Sequence, residues 1–258
     1  MSDIADVLNT IIEGDCIEVM RGLPKGCADL VVTSPPYWVG KSYEVGQPFA
    51  EYAGMMLRVY SECARLLKPA GYMVVNFGDM HNGGNRLYGA EVPSTYPATV
   101  EHWKWGREVG FDLQAARIWK KQFAKCGCSP VVNTRPRSVF EHEHIWTWRK
   151  RGNDGTEFCN DRRLSQRSVL GDGWSSSARL GEHEAAFPVE LPEWAIRVYS
   201  RAWGDVVLDP FMGSGTTGEA CIHLGRCFVG IERDPAHVEL ARRRLGQATA
   251  SLFEEVPQ

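Results

Sequence analysis

What most limits the fold of this chain is the stretch VVLDPFMGSGTTGEAC at residues 206–221. The apolar run that ends at Asp209 reads as a strand buried on both faces. Gly213, Gly215 and Gly218 follow in G-x-G-x-x-G spacing, and TTGEACIHLG then reads as a helix. RCFVGIERD is a further strand, and PAHVELARRRLGQA is an amphipathic helix opened by Pro235.

The N-terminal half alternates in the same way. NTIIEGD reads as a strand, CIEVMRGL as a short helix closed by Pro24 and Gly26, and ADLVVTSPP as a strand stopped by its double proline. Apolar positions at Met55, Met56, Val59, Cys63 and Leu66 predict a helix from Pro48 to Leu67, ended by KPAG. GYMVVNFGD is a third strand; FDLQAARIWKK and HEHIWTWRK read as two more, paired with each other. Strand–helix alternation at both ends predicts a doubly wound, mostly parallel α/β sheet. A chain of 258 residues can hold it as one domain over residues 1–258. Residues 78–97 and 150–186, rich in Gly, Ser, Asn and Arg, break the pattern and read as long functional loops or a small inserted subdomain.

A glycine turn between a buried strand and a helix lets a ligand approach the backbone, and the helix N-terminus offers free N–H groups and positive potential. Glu232 closes the next strand, nineteen residues after Gly213, where a carboxylate can accept from both hydroxyls of a ribose. A nicotinamide dinucleotide and S-adenosylmethionine both fit that description, and a tight turn without a ligand is the bland alternative. A P-loop is excluded, because GSGTT has no Lys before its hydroxyl residues.

Thr33-Ser34-Pro35-Pro36-Tyr37-Trp38 follows another apolar strand end. Two prolines fix the backbone, so the Ser34 hydroxyl and the Pro35 carbonyl can accept the two hydrogens of one amine. Tyr37 offers a face to a flat ring. The exocyclic amine of a nucleobase is a poor nucleophile, because its lone pair is delocalised into the ring. Acceptors on both N–H bonds draw the nitrogen toward tetrahedral geometry and free that pair. The competing explanation is a double-proline strand stop with a core tyrosine.

These segments resemble the circularly permuted β group of bacterial and phage DNA amino-methyltransferases. TSPPYW looks like that family's catalytic motif, with Ser34, Pro35, Pro36 and Tyr37, and LDPFMGSGTT looks like its cofactor motif; the catalytic motif comes first, as in that group. The resemblance covers most of the chain and implies S-adenosylmethionine rather than a nicotinamide. It implies cofactor contacts from Asp209, Pro210, Phe211, Gly213, Ser214, Gly215, Thr216 and Thr217, from Asp15 near the adenine, from Glu232 at the ribose, and from Phe187 and Pro188 at the methionine end. It further implies a Rossmann-like fold, with target-recognition loops within 78–110 and 150–186, and a setting in restriction–modification. It implies a double-stranded DNA substrate whose target base flips out of the stack. Ser34 leans toward N4 of cytosine, while N6 of adenine offers the same two hydrogens. Oligomeric state stays open, with a homodimer compatible with the resemblance.

The reaction calls for no metal and no cysteine nucleophile, and no proline precedes a cysteine as the C5-cytosine enzymes would need. Cys126-x-Cys128 and His142-x-His144 miss the usual zinc spacings. Other classes remain as alternatives: a dinucleotide-dependent oxidoreductase, an RNA or protein amide methyltransferase (whose cofactor motif would come first), and a catalytically silent DNA-binding module.

The formal net charge of −3 hides an uneven distribution. Residues 115–170 carry twelve Lys and Arg against five Asp and Glu, which makes +7; the remainder is −10. Trp119, Trp146, Trp148 and Trp174 are interleaved. Such a segment suits a phosphate backbone, with Arg135 and Arg137 as the first candidates for DNA contact. Eight cysteines without a secretory signal, and no apolar run near membrane length, point to reduced thiols in a cytoplasm.

Overall fold

A computed structural model of the chain describes residues 3–38, 48–81, 95–121, 142–152, 165–171, 174, 187–201 and 203–254. The N-terminal half runs through β1 (Thr10–Glu13), α1 (Cys16–Arg21), β2 (Ala28–Thr33), α2 (Phe49–Leu66) and β3 (Leu67–Phe77). The middle contributes β4 (Met80–His81), β5 (Thr95–Tyr96), α3 (Ala98–Glu108), β6 (Phe111–Lys120), β7 (His142–Lys150) and β8 (Val169–Leu170). The C-terminal part is α4 (Glu190–Tyr199), β9 (Val206–Asp209), α5 (Thr216–His223), β10 (Cys227–Glu232) and α6 (Pro235–Glu254).

Eight strands form one sheet in the order β1-β10-β9-β2-β3-β7-β6-β8. From β1 to β3 each neighbour is parallel; β7 runs against both β3 and β6, and β8 is parallel to β6. The expected mostly parallel sheet is therefore present, and the two predicted later strands do pair, antiparallel. The predicted long helix ends at Leu66, but no loop follows: KPAG belongs to β3, with Ala70 at φ 58°.

The strands alternate between two apolar layers, as a sheet covered on both faces requires. Val31, Met73, Val75, Phe77, Leu208, Val229 and Ile231 face a core shared with α1, α2 and α3. Leu30, Val32, Tyr72, Val74, Val207 and Phe228 face a second core with α4, α5 and α6. The parallel strands end on one edge, at Glu13, Thr33, Phe77, Asp209 and Glu232, and His144 of β7 enters that edge opposite Phe77. From β9 the chain proceeds through α5 to β10 on one side, and from β2 through α2 to β3 on the other. Ligands of open α/β sheets bind in the crevice at such a switch point.

Of the presumed recognition loops, residues 98–108 are helix α3, packed through Trp105 and His102 against Tyr60 and Phe77. Residues 82–94 and most of 150–186 lie outside the described residues. No helix among the described residues is long and apolar enough to cross a membrane.

Candidate active site

The two turns singled out in the sequence meet at β2 and β9. Thr33 Oγ1 donates to Asp209 Oδ1 at 2.8 Å across 176 residues of sequence, and both side chains are buried. Asp209 also accepts from Thr217 Oγ1 (2.6 Å) and from the Phe211 N–H (3.0 Å). The carboxylate thus ties the start of one turn to the end of the other. Burial pushes its carboxyl up to about 6, although the hydroxyl and N–H donors pull the other way.

On the β9 side, Gly215 stands at φ 87°, and a Cβ there would lie 3.0 Å from that of Ala241 in α6. A Cβ on Gly218 would meet Leu245 at 2.8 Å and Met212 at 2.9 Å. These two glycines therefore let α5 press against α6 and the turn. The N-terminus of α5 has no side-chain cap, which leaves its N–H groups for a ligand. Gly213 N–H donates to Glu232 Oε2 at 2.8 Å, and the N–H groups of Arg233 and Asp234 donate to Oε1, each at 2.9 Å. Glu232 is thereby held beside the glycine turn. Ser214 and Thr216 are buried and receive Arg244 Nη1 at 3.0 and 2.9 Å, while Arg244 Nε pairs with Glu219. Pro210 and Phe211 lead the turn, Pro210 buried and Phe211 packed beside the first core.

Asp15 lies past the end of β1, where its Oδ1 caps α1 by accepting from the N–H groups of Ile17 (2.9 Å) and Glu18 (3.2 Å). Its second oxygen takes no part in that cap. Phe187 and Pro188 precede α4, with Pro188 buried and Phe187 packed beside the second core.

On the β2 side the double proline is clamped. Tyr52 of α2 donates its hydroxyl to the Pro36 carbonyl at 2.8 Å. Trp38 turns into the core at φ 53°, a costly conformation for a bulky residue, held by rings of Phe49 and Tyr52 at 5.1 and 6.2 Å. Between these anchors, Ser34 and Tyr37 remain half-buried with their oxygens 2.8 Å apart. Asn76 Oδ1 lies 3.2 Å from the Tyr37 hydroxyl and 3.5 Å from that of Ser34. Glu143 Oε2 of β7 accepts from Tyr37 at 3.1 Å, and Glu143 Oε1 pairs with Lys121. Burial, and next the Glu143 charge, push the Tyr37 phenol well above its ordinary range.

Asn76 and Glu143 are the residues that sequence reasoning missed. A polar residue inside the apolar run GYMVVNF was the available signal for Asn76. Glu143 sits between two histidines that miss zinc spacing, in a run whose alternation signals only a strand. The described residues contain no group of three His, Cys, Asp or Glu side chains that could hold a metal ion; Cys126 and Cys128 lie outside them. Burial pushes the Cys16 thiol up to about 12 and raises those of Cys63 and Cys221, which makes these thiols inert.

The basic segment is less uniform than its charge count. Arg117 is buried, donating to the carbonyls of Arg167 (3.0 Å) and Ser165 (2.6 Å) and to Thr147 (3.2 Å), with its guanidinium 5.0 Å from the Trp194 ring. Lys150 donates to the Leu67 carbonyl, and Arg151 pairs with Asp112, both at the sheet edge away from the site. Lys120 and Lys121 lie at the site edge. Arg135 and Arg137 lie outside the described residues.

Two buried groups make stability depend on pH in opposite senses. Asp209 holds its proton more tightly when folded than its ordinary value of 3.8 allows, so its contribution is full below about pH 4 and is lost as pH rises through 6. His102, buried against Phe77 and bonded to the Tyr60 hydroxyl at 2.6 Å, is pushed down to about 3 by burial. Its contribution is present above about pH 6.5 and is lost as pH falls toward 3. Urea unfolding between pH 4 and 7 should show Asp209→Asn gaining on the wild type as pH rises, by about 2 kcal/mol over the window. A pH-independent difference would contradict the assignment.

Comparisons with known proteins agree with this geometry. The family model described as DNA methylase matches residues 28–243. The chain is 30% identical to the type II methyltransferase M.Cfr9I of Citrobacter freundii, over 92% of this chain and 87% of that one. It is also 30% identical to M.SmaI of Serratia marcescens, over 91% and 90%. A Thermus thermophilus protein described as a DNA modification methylase, solved in complex with S-adenosyl-L-methionine, superimposes with a TM-score of 0.71 at 30% identity, covering 93% and 94%. The cytosine-N4-specific PvuII DNA methyltransferase shares the fold at a TM-score of 0.70 and 23% identity, covering 95% and 93%. The matched span takes in both turns and the Thr33–Asp209 bond that joins them, and the chain belongs to the DNA methylase family.

Proposed function

We propose that the protein transfers a methyl group from S-adenosylmethionine to the exocyclic amine of a base flipped out of duplex DNA, with N4 of cytosine favoured over N6 of adenine. The observation that carries this reading is the junction of the two turns. The 2.8 Å bond between Thr33 and Asp209 brings an amine-accepting turn beside a cofactor-type turn.

The donor set of the β9 turn fits S-adenosylmethionine. The uncapped α5 N-terminus suits its polar groups, Glu232 suits its ribose, the second oxygen of Asp15 suits its adenine side, and Phe187 with Pro188 suits its aliphatic end. When bound, the cofactor supplies an electrophilic methyl on a sulfonium.

The chain's own residues do the rest. The Ser34 hydroxyl and the Pro35 carbonyl accept the two amine hydrogens, since the Pro36 carbonyl is already taken by Tyr52, and the methylated nitrogen then sheds one of these protons to solvent. The Tyr52 clamp and the buried Trp38 keep these acceptors in place before the substrate arrives, which is electrostatic preorganisation. Tyr37 provides the ring face for the base. Flipping costs a few kcal/mol of stacking, offset by contacts in the pocket. Arg135 and Arg137 are proposed to hold the DNA backbone, together with Lys120 at the site edge.

Ser34 is a neutral acceptor, and cytosine and adenine present the same pair of hydrogens, so the choice of base rests on a direct assay. Duplex DNA of mixed sequence is incubated with the protein and tritiated S-adenosylmethionine, then digested to nucleosides. Tritium in N4-methylcytosine is expected. Tritium in N6-methyladenine would move the target base, and tritium on C5 of cytosine would overturn the mechanism.

A further inference from the structure

We propose that Glu143 is a positioning residue that sets the direction of the hydrogen-bond chain through Tyr37, so that Ser34 presents lone pairs rather than its hydrogen to the target amine. The inference rests on the amine-methylation reading.

Ser34 and Tyr37 each own one hydroxyl hydrogen, and their oxygens lie 2.8 Å apart, so either could donate to the other. If Tyr37 donated to Ser34, it would consume one Ser34 lone pair, and the Ser34 hydrogen would have only the long 3.5 Å contact to Asn76 Oδ1 or the substrate to point at. A hydrogen there would meet the hydrogens of the amine and repel them.

The surroundings select the other direction. Glu143 Oε2 stands 3.1 Å from the Tyr37 hydroxyl, and a carboxylate can only accept. The Glu143 carboxylate is pinned from its other side by the Lys121 ammonium. Asn76 Oδ1 is the second acceptor near Tyr37, at 3.2 Å; its amide is oriented by Nδ2 donating to the His144 carbonyl at 3.2 Å. A charge-assisted bond is roughly twice as strong as a neutral one, so the Tyr37 hydrogen goes to Glu143. The Tyr37 oxygen then accepts from Ser34. The chain runs Ser34 to Tyr37 to Glu143, and both lone pairs of Ser34 stay free to accept. The neighbouring strands β3 and β7 deliver these groups together, because Asn76 pairs with Ile145 and Phe77 with His144 in the ladder.

The test is a double-mutant cycle on the full-length protein, measured at saturating cofactor and DNA. Glu143→Ala leaves the Tyr37 hydrogen only the neutral Asn76 Oδ1 at 3.2 Å, a weaker hold on the chain's direction, and should lower kcat roughly tenfold with KM for DNA and cofactor affinity unchanged. Glu143→Gln, which keeps an acceptor oxygen, should recover most of the loss. In a Tyr37→Phe background, Glu143→Ala should cost nothing further, since the hydroxyl through which it acts is gone. A kcat for Glu143→Ala within about twofold of the wild type overturns the inference. So does an equal additional loss in the Tyr37→Phe background. If Glu143→Ala does not fold, the Gln variant and its cycle decide the matter: a roughly tenfold loss in Gln that persists without the Tyr37 hydroxyl overturns the inference. Wild-type protein that binds cofactor but leaves DNA unmethylated overturns the functional reading and this inference with it. An active wild type with an indifferent Glu143→Ala overturns the inference alone.

Discussion

Replacing Ser34 with Ala is expected to lower the rate of methyl transfer roughly 100-fold or more, while affinity for S-adenosylmethionine stays within about twofold. Ser34 is the proposed side-chain acceptor of the β2 turn; its neighbour Tyr37 gives its own hydrogen to Glu143. Without the hydroxyl oxygen, one amine hydrogen loses its acceptor and the nitrogen lone pair stays in the ring. The loss should fall on kcat, because the acceptor matters most when the nitrogen becomes tetrahedral. Cofactor binding should be spared because Glu232 and the α5 N-terminus, the proposed cofactor contacts, lie on the β9 side of the junction. Single-turnover transfer paired with isothermal titration of the cofactor checks both halves. Unchanged turnover, or an equal loss of cofactor affinity, would contradict the division of labour between the two turns.

Glu232→Ala should have the complementary effect. Three backbone N–H groups, of Gly213, Arg233 and Asp234, lose their acceptor at 2.8–2.9 Å. On the proposed reading, the ribose loses its carboxylate as well. Hydrogen bonds to a charged group are each worth about 1.5–3 kcal/mol, so cofactor affinity should fall on the order of 100-fold. At saturating cofactor most of kcat should return, because the amine acceptors are intact. Glu232→Gln, which keeps one acceptor oxygen, should lie between the two. A dissociation constant for Glu232→Ala within about threefold of the wild type would remove Glu232 from the cofactor site.

Much of the sheet was legible because its strands are long, apolar and followed by glycine or proline, as at ADLVVTSPP and VVLDPFMG. The parallel arrangement follows from strand–helix alternation. The two-residue strands β4, β5 and β8 were not legible, since two residues carry no period. The site was legible where chemistry is contiguous in sequence, at Ser34–Tyr37 and Asp209–Thr217. It was not legible where partners are brought in by the sheet. Asn76 and Glu143 reach Tyr37 from 39 and 106 residues away. Charge counting misled at Arg117, because a sum of charges has no direction; that guanidinium faces Trp194 and two carbonyls rather than solvent. The two threonines of the junction, Thr33 and Thr217, read as motif letters, and only the fold shows that both donate to Asp209.

The central claim is that the two turns form a single centre for direct transfer. The most direct measurement uses S-adenosylmethionine carrying a trideuterated methyl group, with quantitative mass spectrometry of both products. The account predicts that one intact trideuteromethyl group appears on an exocyclic nitrogen of a DNA base for each S-adenosylhomocysteine formed. S-adenosylhomocysteine without methylated DNA, or the label on a ring carbon, would contradict it.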